Sequence, residues 1–336
     1  GAKSEVRSLL LISAFIVLTP LPLLILNGME HAWQLVANLW LFQLAGRALK
    51  NHVKPRRLIL AAGLSTLFRY EGLFLAGGLF FFLILKKRFK EGFSILAGAL
   101  LPVIIIGLYS LANDGTFLPL TLLGKGQSPW VMGIIPWFAN GIQVLYENPF
   151  MFALLLGLLV IIIAKKDDSI VRFQAQALAL ACLPHIWMAQ VGGYRYEAYL
   201  IGLGLYLILP FLYQQLSWKK PASWALALTW LFPFIIRAGF FGANHTAAVH
   251  DIAFQHRATA SFLNTYYPGK PVVLNDIGTV CYETQSPVTD LNGISDPVLM
   301  MAKLNGTCTK AFIKKKHWVF ARGIYTTALL VLMAQN

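Results

Sequence analysis

The sequence predicts an all-α polytopic membrane protein of about nine spans with a small C-terminal α/β domain, and three observations carry that prediction. Hydrophobic residues fill 57% of the 336 positions and charged ones only 12%, against roughly 25% charged in soluble domains. Long apolar runs recur, separated by short loops that hold most of the Lys and Arg. From Gly242 onward the hydropathy drops, which divides the chain into a helical membrane domain, 1–241, and a second domain, 242–336. The net charge of +14 does not predict a nucleic-acid partner. Such binding needs cations gathered on one accessible surface, and these are dispersed among loops.

A span needs about 20 apolar residues to cross roughly 30 Å of hydrocarbon. The candidates are 8–26, 32–49, 57–68 paired with 72–85, 92–111, 150–164, 170–190, 198–213 and 222–240. The first run follows GAKSEVRS directly and is too long and wrongly ended for a cleaved signal peptide. With no initiator Met ahead of it, a natural start upstream is expected.

Loop charge predicts the orientation. Loops at 3–7, 47–57, 86–90, 165–172 and 219–220 together hold sixteen Lys and Arg, whereas the alternate set holds only Arg69, Lys125 and Arg195. Cytoplasmic loops carry the excess of Lys and Arg, so the first set is predicted to be cytoplasmic. The same rule divides 57–85. A single crossing would put the clusters at 47–57 and 86–90 on opposite sides, so two crossings are expected with RYEG, 69–72, at the turn. The first leg, Arg57 to Phe68, is only about 18 Å long at 1.5 Å per residue, which predicts a tip recessed below the outer surface. Glu30, Glu71, Asp114, Glu147 and Glu197 then all fall at outer ends of spans. Ionisable groups at such depth are costly and tend to be functional, although polar loop residues also have to lie somewhere.

Between spans, 112–149 is the longest outer loop. Trp130, Ile134, Trp137, Ile142 and Leu145 give an interrupted amphipathic pattern that fits one or two interfacial helices, or a loop packed over the bundle. In the C-terminal domain, HDIAFQHRATASFLNTYYPGK predicts a helix ending near Tyr267. PVVLND and SPVTDLNG predict short strands, and DPVLMMAKL a helix entered at Asp296 with Pro297 in its first turn. The last stretch, HWVFARGIYTTALLVLMAQN, predicts a strand and a helix in preference to a tenth span. Cys182 is expected to be a packing residue within a span, and Cys281 and Cys308 share the domain where a disulfide can form. No Cys or His spacing matches a zinc site, and no phosphate-loop, nucleophile-elbow or dinucleotide fingerprint occurs.

Five motifs, in order, resemble those of the GT-C superfamily of integral membrane glycosyltransferases, in particular a bacterial branch. They are NGME at 27–30, RYEG at 69–72, GTFLPLTLLGK at 115–125, GGYRYEAYL at 192–200 and NDIG…TDLNG at 275–293. Each is weak alone, but the order covers nearly the whole chain. The resemblance implies a GT-C-like fold in the inner (plasma) membrane, with the C-terminal domain on the periplasmic side. It also implies transfer of a sugar from a polyprenyl-phosphate-linked donor to a glycan, lipid or protein acceptor. Members of the superfamily use as base an Asp, or an Asp with a neighbouring acid, in the first outer loop. Here no such pair lies on the outer side, since Asp167 and Asp168 are cytoplasmic by the charge rule. The expectation is that this loop precedes Gly1, with Glu30 and Glu71 as fallback bases.

Such a transfer needs a carboxylate to take the acceptor's proton and cations to neutralise the departing phosphate. Arginine suits the second task, because its planar fork binds phosphate bidentately and keeps its charge. Arg69 and Arg195, flanked by Tyr70 and Tyr196 and helped by Lys125, are the expected donor-phosphate site. Glu71 and Glu197 would orient the arginines or hold a divalent ion, Mg or Mn. Alternatively each triplet is a structural Arg–Glu pair closing a helical turn. Glu30 would face the acceptor, bind a metal, or simply complement the dipole of the helix that follows. Asp276 and Asp290, each at a strand end, either reach towards the site or close ordinary turns. Two other functions fit the same cations: a carrier or flippase for a lipid-linked sugar, and a noncatalytic subunit of a transferase. The repeated Arg-Tyr-Glu invites the internal repeats of transporters, but its flanks do not match.

Overall fold

The computed structural model describes residues 2–113, 115–125, 133–192, 194–215, 220–274, 276–304, 318–322 and 330–334. The expectations placed on Asp114, Trp130 and Cys308 lie outside the described residues, so the disulfide and one acid of the outer set are not addressed. Two compact units emerge: 1–106 with 127–243, and 107–126 with 244–336.

The first unit is helical throughout: α1 (Ala2–Leu18), α2 (Leu21–Leu26), α3 (His31–Ala48), α4 (Pro55–Phe68), α5 (Gly72–Leu85), most of α6 (Phe89–Ala112), α8 (Ile134–Glu147), α9 (Pro149–Ala164), α10 (Ser169–Met188), α11 (Ala198–Gln215) and the start of α12 (Pro221–Tyr266). Every predicted span corresponds to helix. The 8–26 run is broken rather than continuous, because Pro20 and Pro22 interrupt the ladder between α1 and α2 and the Thr19 hydroxyl turns back to the Phe15 carbonyl. RYEG is indeed a helix break: α4 ends at Phe68, Arg69 is extended, and α5 starts at Gly72.

Among the described residues, α6, α11 and α12 are long and apolar enough to cross a membrane, and α8 with α9, bent by 92° between them, makes a fourth if taken as one span. The other helices are shorter, like the 14-residue α4 and α5, or carry polar residues. In α3 these include Gln34, Asn38 and Arg47, and in α10 Arg172, Gln174 and His185. The unit is organised around α11, which packs against α1, α3, α9 and α10. Its apolar window is 72% buried, against 28% for α6 and 22% for α12. The peripheral helices therefore turn Leu101, Ile105, Leu108, Phe232, Ile236 and Phe240 outward. An apolar exterior of that extent suits lipid and not water.

Small residues set the closest approaches. A Cβ added at Gly78 on α5 would run into the backbone of Ala177 on α10, and one at Gly98 on α6 into the backbone of Ile59 on α4. Close contact at small residues is how helices associate where lipid removes the hydrophobic drive.

The second unit holds the end of α6, α7 (Leu120–Lys125), the rest of α12, β1 (Val272–Leu274), α13 (Gly278–Glu283), β2 (Val288–Asp290), α14 (Pro297–Leu304), β3 (Trp318–Arg322) and β4 (Leu330–Ala334). The predicted strands are present, and Asp296 caps α14 by accepting from the Leu299 amide at 3.1 Å. The sheet order is β2-β1-β4-β3. β1 and β2 are parallel, with Val272 opposite Val288, and β4 runs antiparallel to both β1 and β3. Two expectations are corrected here. The C-terminal helix is instead the strand β4, because the edge of β1 and the strand β3 both supply ladder partners for it. The last span and the first helix of the C-terminal domain are one continuous 46-residue helix, α12, with no break near Gly242. Leu263, Val272, Leu274 and Val280 form the unit's small core.

Gly78→Leu should destabilise the first unit by roughly 1–3 kcal/mol through overpacking, read as a lower melting temperature in detergent. Gly77→Ala, where a Cβ meets nothing within 4 Å, should leave it unchanged.

Candidate functional site

Three stretches far apart in sequence meet at one end of the first unit: NGME, RYEG and the turn 192–197. Each lies where a helix stops, which frees its backbone to bend and its side chains to face one another. Gly28, at φ +64°, makes the bend after α2 that an L side chain would resist. Tyr194 is also left-handed, at φ +52°, a costly conformation for a bulky residue unless its surroundings fix it. Here they do. Asn27 donates to its hydroxyl, its ring packs 4.7 Å from that of Phe241, and its carbonyl accepts from Arg237 at 2.7 Å.

Arg69 forks between two acids. Its Nε and Nη2 donate to Glu71 at 3.1 and 2.7 Å, and its Nη1 donates to Glu30 at 2.7 Å. Burial opposes ionisation of Glu30 and Glu71, yet the Arg69 guanidinium and nearby backbone amides hold both carboxyls below their ordinary range. Glu30 makes no capping bond to its own helix, so its position is explained by Arg69 rather than by the α3 dipole alone.

Arg195 has a different environment. Its Nη1 lies 3.0 Å from the Met29 sulfur and its Nη2 donates to the Tyr196 hydroxyl at 3.2 Å. Among the described residues, no carboxylate comes within ion-pair distance of it. The Tyr196 ring receives both arginines, with the Arg69 and Arg195 guanidinium carbons 5.4 and 5.0 Å from its centroid. A ring quadrupole attracts cations on its face and so helps hold two like charges close together.

Glu197 does not orient Arg195, as the sequence suggested it might. It is fully buried and accepts from Arg237 Nε and Nη2 at 3.1 and 2.8 Å, while its other oxygen accepts from the Gly192 amide at 3.0 Å. Burial resists its ionisation, and Arg237 and the Gly192 amide override that, lowering its pKa. Both oxygens are engaged, which leaves Glu197 poorly suited to a metal. Arg237 is the residue at this junction that sequence reasoning missed. Its signal was an arginine inside the apolar run 222–240, where a charge must find a partner.

Behind the turns, the Tyr199 hydroxyl donates to the Glu71 carbonyl at 3.3 Å and meets His185 Nδ1 at 3.2 Å, tying α11 to RYEG and to α10. Ser65 donates to Asn38 at 2.7 Å, and the His31 ring lies edge-on to Tyr196 at 5.9 Å. Of the predicted site residues, Arg69, Glu71, Glu30, Arg195 and Tyr196 thus come together. Tyr70 sits in the same turn with no side-chain hydrogen bond among the described residues. Glu147 is exposed and accepts from Gln143 of its own helix at 2.7 Å.

Lys125, Asp276 and Asp290 belong to the second unit. Lys125 ends α7, and its side chain is outside what the structure describes. Asp290 is buried and accepts from the amides of Asn292, Ile294 and Ser295 at 2.8, 2.8 and 3.2 Å. That is turn closure, and it accounts for both oxygens. Asp276 is exposed, 3.6 Å from His256. GTFLPLTLLGK and the TDLNG segment both fall in this unit, and Met300 of α14 is the neighbour that a Cβ at Gly124 or at Gly293 would strike. Among the described residues, no three His, Cys, Asp or Glu side chains are placed to hold a metal ion.

Arg237→Met should leave the Glu197 carboxylate buried and unpaired, at a cost of about 3–5 kcal/mol. Pairing it with Glu197→Gln, which keeps an acceptor for the Gly192 amide, should recover most of that loss. Chemical denaturation of the two variants in detergent makes the comparison.

Residues 244–331 match the model of a family described as a domain of unknown function (DUF8728). No curated protein and no solved structure matches the chain. The family match starts where the chain passes into the second compact unit, at Asn244, so the likeness belongs to that unit and does not extend over the helical one.

Proposed function

We propose that the chain is a membrane glycosyltransferase of the GT-C type. On this reading it crosses the inner membrane about nine times and moves a sugar from a polyprenyl-phosphate-linked donor to a cell-envelope acceptor at the outer face. The observation that carries this reading is Arg195. It is a cation without a carboxylate partner among the described residues, held on the Tyr196 ring beside the Arg69 fork, at the junction of three of the motifs that carry the resemblance.

The expected division of labour shifts accordingly. Arg195 is the principal phosphate ligand, because the charge of Arg69 is already balanced by Glu30 and Glu71. Arg69 still has N–H groups beyond the three that it uses, so it can lend a hydrogen bond while holding the RYEG turn in place. Glu30 and Glu71 are weak bases on this arrangement, since a carboxylate stabilised as the anion has little affinity for a proton. Lys125, Asp276 and a divalent Mg or Mn remain part of the proposal without a placement at these turns.

A second reading, a carrier of lipid-linked sugar or a noncatalytic subunit, is favoured by one observation. Each carboxylate described at the junction is paired with an arginine, and chemistry at an acceptor hydroxyl needs one that is not. Sugar transfer by the purified full chain, set against movement of the labelled lipid across proteoliposomes, separates the two.

Arg195→Ala should lower transfer from a labelled polyprenyl-phosphate sugar by about a hundredfold or more, the usual cost of removing a charge-stabilising donor. Expression and melting temperature should be unchanged. Full activity in a folded variant rules out the assignment.

A further inference from the structure

The other end of the first unit carries a second cationic site. α5 starts beside Arg69 and Glu71 and ends at Leu85, about 21 Å further on at 1.5 Å per residue. α10 runs between the same two regions, from Ser169 to His185 beside Tyr199. Where α5 ends and α10 begins, Lys86, Lys166, Ser169, Arg172, Phe173 and Gln176 line a cavity of about 180 Å³. That is more than ten times the roughly 10–15 Å³ that holds one water, and it leaves room for a polyatomic group.

Its chemistry is one-sided. Lys86 and Lys166 come from two separate loops and Arg172 from the first turn of α10, and none makes an ion pair among the described residues. Arg172 Nε is buried with no hydrogen-bond partner, a donor that costs free energy unless something accepts from it. Phe173 supplies an apolar wall, and Ser169 and Gln176 add neutral polar groups. Two acids, Asp167 and Asp168, follow Lys166 in sequence but neither lines the cavity, and Asp168 Oδ1 accepts from the amides of Ile170 and Val171 at 3.2 Å each, capping α10. With those amides taken, attraction for an anion comes from the side chains and not from the helix terminus.

We propose that this cavity binds a phosphate group, either the headgroup of an anionic phospholipid or a soluble phosphate compound. An Arg fork with two flanking ammonium groups matches a tetrahedral oxyanion. The loop-charge rule assigns this end to the cytoplasm, where the leaflet is rich in anionic lipid. The site is independent of sugar transfer at the Arg195 end.

The test uses the full chain in phosphatidylcholine nanodiscs, with melting followed by tryptophan fluorescence. One arm adds inorganic phosphate and the other replaces part of the lipid with phosphatidylglycerol. A saturable rise in melting temperature is expected in at least one arm, and the arm that responds identifies the source. Lys86→Gln/Lys166→Gln/Arg172→Gln should lose the response, and Arg172→Gln alone should weaken the apparent affinity roughly tenfold. Lys50→Gln/Lys54→Gln, in another basic loop, should keep it. Phosphate also stabilises proteins by exclusion from their surface. An equal rise in the wild type and the triple variant therefore overturns the proposal, as does equal loss in the Lys50/Lys54 control. If the triple variant fails to fold, ³¹P spectra of the wild type decide: no bound resonance with either probe overturns it.

Discussion

The buried pair of Glu197 and Arg237 is the contact on which the site-bearing end of the helical unit depends. One carboxylate ties the Gly192 amide, at the start of a turn, to an arginine arriving from α12, and that arginine also takes the Tyr194 carbonyl. The turn is thereby closed on itself and fixed to a second helix. Such a pair is expensive to bury and is stable only when its remaining donors and acceptors are also met. Two backbone groups of the turn meet the second Glu197 oxygen and Arg237 Nη2, while Arg237 Nη1 is buried with no hydrogen-bond partner among the described residues. The left-handed Tyr194 is tolerated because these contacts over-determine it, and from it follow the directions of Arg195 and Tyr196.

Charge at the junction is balanced rather than simply positive. Arg69 with Glu30 and Glu71 forms a compact triad, and Arg195 contributes the one positive charge there without an acidic partner among the described residues. In a low-dielectric setting that single imbalance matters more than the number of ionisable groups, because a neutralised pair exerts little field at a distance. The aromatic ring shared by the two arginines allows them to approach without a bridging acid. The cations are thus assembled by the fold itself.

The second unit follows different physics. It is a small mixed sheet with a limited core, and two of its acidic residues are explained by local needs: Asp296 caps α14 and Asp290 closes a turn. The family match is confined to 244–331, outside the apolar helices of the first unit.

Apolar runs and loop charge located the long apolar helices of the first unit, because such segments satisfy their own backbone, whereas the break between α1 and α2 was not legible and α8 stayed open between a helix and a packed loop. The break at RYEG was legible from the basic clusters at 47–57 and 86–90, which a single crossing would have put on opposite sides. The short strands and the Asp296 cap could be read from turn residues. β4 could not be, because its sequence is equally compatible with a helix and pairing with β1 and β3 decided between them. Within the site, Arg69–Glu71 was visible as neighbours in one triplet, and the identical-looking Arg195–Glu197 was misleading. Glu197 found its partner forty residues away on α12, in a run whose hydrophobicity concealed the arginine. The sequence by itself determined that charges would lie at the ends of apolar helices, where desolvation is tolerable. Only the tertiary structure decided which charges meet, because ion pairing depends on distances of a few ångströms between segments that the chain order leaves free.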